Sequence, residues 1–501
     1  MNNMIDRIIE VLSQNDIQNF LINENIIETQ ELFYIKHSLN LTRNKNVSKY
    51  EITLYRDFIY NDTNMRGSAS CLLNSSMSDM ELNENILSAY EAALSVRNPY
   101  YKLPHGEAMF VETDNISSLE KHSADNAVDT ASSLGLSSNK STNETDNLSA
   151  NKSINETDNL SANKSINETD NLSATDIVNA LFVNDTISKT TNAFINSTEI
   201  FITTSTCRII NSNGVNASYT TTTYSGEFVV QCTSPADVEL YNDFKYSSKD
   251  YNILDSLSAK VANALIMVKD RSIAKAFSED MKYDTVILEG QCVGELFDYY
   301  LKRLDASMIY PKYSSFDIGK SVVPECELSN ASATDKSINS DQVRCIDSDS
   351  YRTLPDKLNI TLTPKLPYSC EGIALKKLEL IKDNIAQYIT GNARFAFYLG
   401  INPTGECNSY KLECGNTSIE DLKTGKYLRV VNFSDFQMDS LSGQIGGEYR
   451  LAYYYDGTKE IPVTNGSISA NINDIVKSVK LSSESQSSYN FDGPLAISYS
   501  I

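Results

Sequence analysis

The chain has 501 residues, 41% of them hydrophobic, with a formal net charge of -22 at pH 7, enough material for two or three domains of roughly 150 residues each. That acidity, with no compensating run of Lys or Arg, repels phosphate backbones and anionic lipid surfaces and argues against nucleic acid as a partner. No window approaches the roughly 18 uncharged apolar residues of a membrane span, and Asp6, Arg7 and Glu10 interrupt any signal-peptide core at the start, so the expectation is a soluble, cytoplasmic protein.

In chain order, Ile5, Ile8, Ile9 and Leu12 recur at helical spacing. Glu51 to Tyr60 alternates like a strand. After the polar run Ser75-Ser76-Met77-Ser78-Asp79, a second helix carries Leu82, Ile86, Leu87, Tyr90, Ala93 and Leu94 on one face, and Arg97-Asn98-Pro99 ends it. Residues 1–122 are read as the first part of an N-terminal α/β domain, and 176–250 as its continuation. Between them, 123–175 holds a twelve-residue unit, Ser-x-Asn-Glu-Thr-Asp-Asn-Leu-Ser-Ala-Asn-Lys, repeated from Ser141 and Ser153 and truncated from Ser165. So little apolar surface does not offset the entropy of ordering a backbone, so this stretch is read as a flexible insertion. Its Asn-x-Ser/Thr triplets would accept glycans only in an exported protein, the basis of an alternative reading as a cell-surface or stand-alone binding protein.

Beyond the insertion, strands are predicted over Ile200–Ile210, Ser218–Tyr224 and Glu227–Cys232, the first turn being Asn211-Ser212-Asn213-Gly214. A long helix follows with Leu254, Leu257, Val261, Ala262 and Leu265 on one face, then a buried strand at Thr285–Leu288 and a helix presenting Leu296, Phe297, Tyr300, Leu301 and Leu304. These make 251–357 a central helix-strand-helix region, with a polar insertion at 325–349. From 358 to 501, short strands separated by Gly, Asn and Pro predominate. The fold class is therefore α+β, an N-terminal α/β domain followed by a β-rich C-terminal domain with packed helices.

Little in the chain offers chemistry. Its nine cysteines are odd in number and lack a CxxC pair, which fits reduced thiols better than disulfides; Cys326, Cys345, Cys370, Cys407 and Cys414 are the only group dense enough to suggest a metal. Gly290-Gln291-Cys292-Val293-Gly294, between a strand and a helix, has the outline of a nucleophile elbow. The histidine such a thiol needs downstream is missing, because His37, His105 and His122 all precede it. No HExxH pattern, phosphate loop or dinucleotide fingerprint occurs, so neither catalytic nor metal-binding residues are assigned.

Several segments, in order, resemble the TldD/PmbA family of modulators of peptide processing. They are Gly67-Ser68-Ala69-Ser70, Arg208 to Gly214, Thr285 to Leu304 and Ser314-Ser315-Phe316-Asp317-Ile318-Gly319. Further on come Glu371-Gly372, Leu380 to Asp383, Tyr398 to Gly405, Ser442 to Glu448, Ile461 to Thr464 and Gly466 to Asn471. Departures are Ala470 in place of the usual Gly and Cys370 in place of an acidic residue.

The resemblance implies one of two kinds of chain. TldD-type subunits carry HExxxH on the central helix and bind zinc, whereas PmbA-type (TldE) subunits lack it and pair with them. Aligning that motif puts Asp298, Tyr299 and Arg303 where His, Glu and His would fall, so the chain resembles the zinc-free kind. The resemblance then implies a heterodimeric metallopeptidase acting on unfolded or extended peptide, with zinc in the TldD-like partner and this subunit forming the opposite wall of a chamber. A homo-oligomer that has lost peptidase activity is a further alternative.

Overall fold

The computed structural model describes residues 3–106, 109–110, 172–324, 342–344 and 351–501. The repeats, His122, Cys326, Cys345 and most of the insertion at 325–349 lie outside the described residues. Two β-rich halves meet across a small aromatic junction, in agreement with the α+β expectation.

The first half is a long, mainly antiparallel sheet. Helix α1 (Met4–Gln14) leads into β1 (Phe20–Ile35), β2 (Ser38–Tyr60) and β3 (Thr63–Leu73), which pair as consecutive hairpins. Helix α2 (Asp79–Ala92) starts at a capping box, Ser78 and Glu81 each satisfying the other's backbone N–H. After α3 (Ala174–Phe182) come β4 (Ala193–Asn211), β5 (Asn216–Cys232), β6 (Val238–Ser247) and α4 (Ile253–Ser272). Strand β1 pairs with both β2 and β4, placing it in the middle of the sheet.

Two helix pairs cover one face of this sheet. At one end Ile5, Ile8, Leu82 and Ile86 pack on Ile22, Ile52 and Leu54. At the other, Ile177, Leu257 and Val261 pack on Leu32, Ile200 and Phe228. Each fully buried aliphatic side chain contributes about 1.5–3 kcal/mol, which makes these patches the reason the helices dock. Ile9, expected on the buried face of α1, is 40% exposed.

The two strands predicted at 218–224 and 227–232 are a single strand. Gly226 does not turn the chain: its Cα packs under the Glu199 carbonyl and the Phe244 ring, where a side chain would collide. The third strand of the meander is β6 instead.

In the second half, β7 (Thr285–Glu289) runs into α5 (Gln291–Arg303). Then come α6 (Ala393–Leu399), β8 (Tyr427–Met438), β9 (Gln444–Tyr455), β10 (Glu460–Thr464), β11 (Gly466–Asn471) and β12 (Ala496–Ser500). One sheet has the order β12-β7-β8-β9-β10, with β11 added to the other stretch of β9. Helix α5 lies between this sheet and a second one that contains Ile360–Leu362 and Tyr410–Leu412, and its apolar face joins Val286, Leu428, Ile360 and Leu412 in one core.

The Glu371-Gly372 segment joins the halves. Asn211 Oδ1 accepts from the N–H groups of Asn213 and Val215, holding the turn that Gly214 closes at φ +90. Gly372, at φ +80, lies against Val215, Tyr219 stacks on Tyr368, and the Tyr398 hydroxyl donates to the Pro99 carbonyl at 2.6 Å. Glu371 accepts from the Ala393 N–H at 2.8 Å, at the start of α6. Burial raises its carboxyl pKa, the Ala393 N–H opposes this, Glu406 adds to it and Arg394 opposes it.

A raised folded-state value favours the protonated form. The stability contributed is present below the ordinary Glu value of 4.5 and is lost as pH rises through the folded value. Melting temperatures of the wild type and Glu371→Gln from pH 4.5 to 8 should therefore diverge, with the wild type losing ground to the variant as pH rises. Parallel curves would contradict the burial effect.

Candidate functional site

Helix α5 forms for local reasons. Gly290, at φ +89, turns the chain out of β7, and apolar residues at Val293, Leu296, Phe297 and Tyr300 follow helical spacing. Lys302 and Arg303 in the last turn complement the helix dipole. Gly294 is there for packing, since a Cβ would sit 2.8 Å from the Phe491 ring, and its carbonyl accepts from the Tyr410 hydroxyl at 2.5 Å.

Cys292 is therefore a core thiol. It is buried, its Sγ faces the Glu289 carbonyl at 3.6 Å, and burial pushes its pKa up, with Glu295 and Glu289 adding to the shift. A nucleophile elbow needs the opposite environment. Iodoacetamide at pH 8 should modify the exposed Cys414 and leave Cys292 untouched in the folded chain; peptide mapping showing rapid labelling of Cys292 would contradict this. The seven described cysteines are all free, and among the described residues no His/Cys/Asp/Glu group has the geometry of a metal site.

The C-terminal turn of α5 carries the three residues aligned with the zinc motif, and their chemistry does not fit a metal. Asp298 is paired with Lys302 at 2.7 Å. Tyr299 is 4% exposed and meets Phe316 edge to face at 6.2 Å. Arg303, 9% exposed, lies 5.8 Å from the Tyr299 ring centre and 5.7 Å from that of Phe316. Its Nη1 donates to the Tyr313 carbonyl and, at 3.4 Å, to the Leu441 carbonyl. A guanidinium offers no lone pair and repels a second cation, so this turn is an organic-cation clamp where zinc ligands would be needed. Burial raises the Tyr299 pKa and Arg303 counteracts it.

The clamp connects segments far apart in sequence. Leu441 belongs to the loop joining β8 to β9, a loop pinned by Asp439, which accepts from the Leu441 N–H at 2.9 Å and the Ser442 hydroxyl at 2.5 Å. The same loop holds the end of β11: Asn471 Nδ2 donates to the Ser442 carbonyl at 3.0 Å, and the Ile472 N–H to the Gly443 carbonyl at 2.9 Å. Strand β11 pairs with β9 along one side only; among the described residues no strand pairs with its other edge. Such an edge is a template for an added strand.

Across the β8–β9 pair, reaching Ser467 of β11, is a groove of about 450 Å³ lined by Asp435, Met438, Asp439, Gly446, Gly447, Glu448 and Ser467. Gly447 is needed for the close pairing, because a Cβ would stand 2.3 Å from the Asp435 carbonyl.

Phe316, in the Ser314–Gly319 segment, packs directly on α5, while Ile445 and Ile468, in the Ser442–Glu448 and Gly466–Asn471 segments, join the core that the apolar face of α5 helps build. Sequence reasoning named these blocks and the three motif positions, but it assigned no residue to a substrate wall. It missed Tyr313 and Leu441, which act through backbone carbonyls and leave no side-chain signal.

Residues 280–498 match the family model of the PmbA/TldA metallopeptidase C-terminal domain. The whole fold is similar to TldE from Thermococcus kodakarensis, at 12% identity and a TM-score of 0.64, covering 99% of this chain and 98% of that one. It is also similar to a protein named as a modulator of a DNA gyrase from Thermotoga maritima, at 12% identity and a TM-score of 0.61, covering 99% and 97%. A counterpart from Bacteroides thetaiotaomicron gives 12% and 0.61, covering 99% and 96%. No curated protein matches the sequence. Among the described residues no helix is long and apolar enough to cross a membrane.

Proposed function

From the premise that this chain belongs to the TldD/PmbA family through its C-terminal domain at residues 280–498, we propose that it is a non-catalytic, TldE-like subunit of a cytoplasmic metallopeptidase. A TldD-like partner bearing HExxxH supplies zinc, the activated water and the general base. This chain supplies a peptide-holding wall, built from the open edge of β11, the neighbouring acidic groove and the loop 439–443. Main-chain hydrogen bonding to that edge selects extended over folded polypeptide, since only an extended segment presents free N–H and C=O groups in a row.

The observation that carries this reading is Arg303, a buried cation where a metal ligand would stand, set beside the Tyr299–Phe316 ring pair and donating to two carbonyls. A turn that keeps the fold of a peptidase site while filling its metal position with a guanidinium is suited to structure and substrate contact rather than hydrolysis. Co-expression with an HExxxH-bearing relative from the same genome, followed by size exclusion, tests it. A complex of equal subunits is the expected result; two separate peaks would favour a stand-alone binding protein.

A further inference from the structure

We propose that a band of aromatic rings crossing the junction of the two halves is the surface on which the HExxxH-bearing partner docks, through an apolar patch edged with carboxylates. This rests on the partner-subunit reading above and adds to it where on this chain the partner sits and what its surface must offer.

Helix α6, Ala-Arg-Phe-Ala-Phe-Tyr-Leu, carries the first observation. Its small residues Ala393 and Ala396 are the buried ones, and Gly391 beside them packs where a Cβ would stand 2.7 Å from that of Ala306. Phe397 is 40% exposed, and Phe395 and Tyr398 are only half-buried. An ordinary surface helix turns its large apolar residues to the core and polar ones to water. This helix does the reverse.

Its rings continue into a larger band. Tyr310 lies 4.9 Å from Tyr398 and 6.2 Å from Phe395, and Phe397 meets Tyr100 edge to face at 6.4 Å. Tyr100 and Tyr310 are both exposed, and past Tyr100 a hollow of about 310 Å³ leads to Ile59, which is 73% exposed. Ile59 and Tyr100 come from the first half and the remaining rings from the second, so one docked surface would span both. Contiguous exposed apolar residues of this kind mark interaction sites, and aromatic residues with Arg are typical of interface centres. Ring contacts and the Tyr398 hydrogen bond to Pro99 hold the side chains in place beforehand, which lowers the entropic cost of docking.

Charge selects the occupant. Arg394 lies 4.4 Å from the Phe395 ring centre, Arg97 lies 4.0 Å from that of Tyr60 next to Ile59, and the exposed Lys312 follows Tyr310 by two residues. None of these three cations makes an ion pair among the described residues. The nearby carboxylates are engaged, Asp57 by Arg66 at 2.6 Å and Glu371 by the Ala393 N–H. Two copies paired about a two-fold axis through this band would set its cationic rim against itself, on chains that each carry -22. A different chain with carboxylates around an apolar centre fits instead. The band also adjoins the candidate site, since Tyr313, three residues beyond Tyr310, accepts from Arg303.

The test is co-expression with the HExxxH-bearing relative, using the wild type, Phe397→Ser, Arg394→Glu and, as a control, Ile266→Ser on α4, at the other end of the first sheet. Phe397→Ser should weaken the complex about thirtyfold, as for an interface hot spot, Arg394→Glu should weaken it as well, and Ile266→Ser should match the wild type. Hydrogen exchange at residues 393–400 of the wild-type chain should slow in the complex, a readout that does not depend on a variant's folding. A wild-type complex with unchanged exchange there, and with Phe397→Ser binding as tightly as the control, overturns the docking surface but leaves the partner-subunit reading standing. A wild-type chain that does not associate with the relative overturns that reading, and the docking surface with it. Self-association of this chain that Phe397→Ser abolishes would make the band an interface between copies and overturn the assignment to a different chain.

Discussion

Gly67→Ala should destabilise the N-terminal sheet by about 3 kcal/mol or more, well beyond an ordinary exposed-strand substitution. Gly67 sits in β3, and a Cβ there would stand 1.8 Å from the Ala93 carbonyl oxygen and 2.8 Å from that of Val96. Both are backbone atoms in and just after the tight turn Ala93–Ser95 that ends α2. No side chain can swing away, so either the turn moves or the strand does. Either response loosens α2, whose Leu82 and Ile86 are fully buried against the sheet. A urea unfolding midpoint lowered by less than the equivalent of 1 kcal/mol would contradict the close approach.

Arg303→Ala should cost about 3 kcal/mol. The substitution leaves the carbonyls of Tyr313 and Leu441 without their donor and removes the cation that lies beside the Tyr299 and Phe316 rings. The loop 439–443 then loses its tie to α5 and should become more susceptible to limited proteolysis, which offers a local readout beside the global one. Arg303→Lys keeps the charge but concentrates its donors on one atom, so it should recover only part of the loss. A loss within 0.5 kcal/mol for Arg303→Ala, with an unchanged proteolytic pattern, would mean the clamp holds nothing.

Much of this fold was legible because period and punctuation agreed. The spacing of Leu254, Leu257, Val261 and Leu265 gave a helix because one stripe had a sheet to bury against. The Asn211–Gly214 turn was readable because Asn supplies the side-chain acceptor and Gly the positive φ. Two features were not. Ser225-Gly226 reads as a break between two strands, yet the chain runs straight through it because Gly226 gives room to the Glu199 carbonyl and the Phe244 ring. Strand β2 continues through the polar run Arg43-Asn44-Lys45-Asn46, whose backbone is satisfied by β1, a pairing invisible in side-chain alternation.

The site divides in the same way. The family blocks fixed which segments matter and where a zinc motif would fall. They did not reveal that Arg303, Phe316 and Leu441, up to 138 positions apart, form one clamp. Contacts made through carbonyl oxygens and ring faces depend on where the backbone runs, which only the assembled core decides.

The central claim, that hydrolysis belongs to a partner while this chain holds the peptide, is tested most directly by zinc analysis and cleavage of an unfolded peptide. These should be measured on this chain alone, on its complex with the HExxxH-bearing relative, and on the complex whose partner has the HExxxH glutamate replaced by glutamine. The expected result is about one zinc per complex, cleavage by the complex only, and loss of cleavage with the partner's glutamate. Zinc and peptidase activity in this chain alone, or cleavage that survives the partner's substitution, would contradict the account.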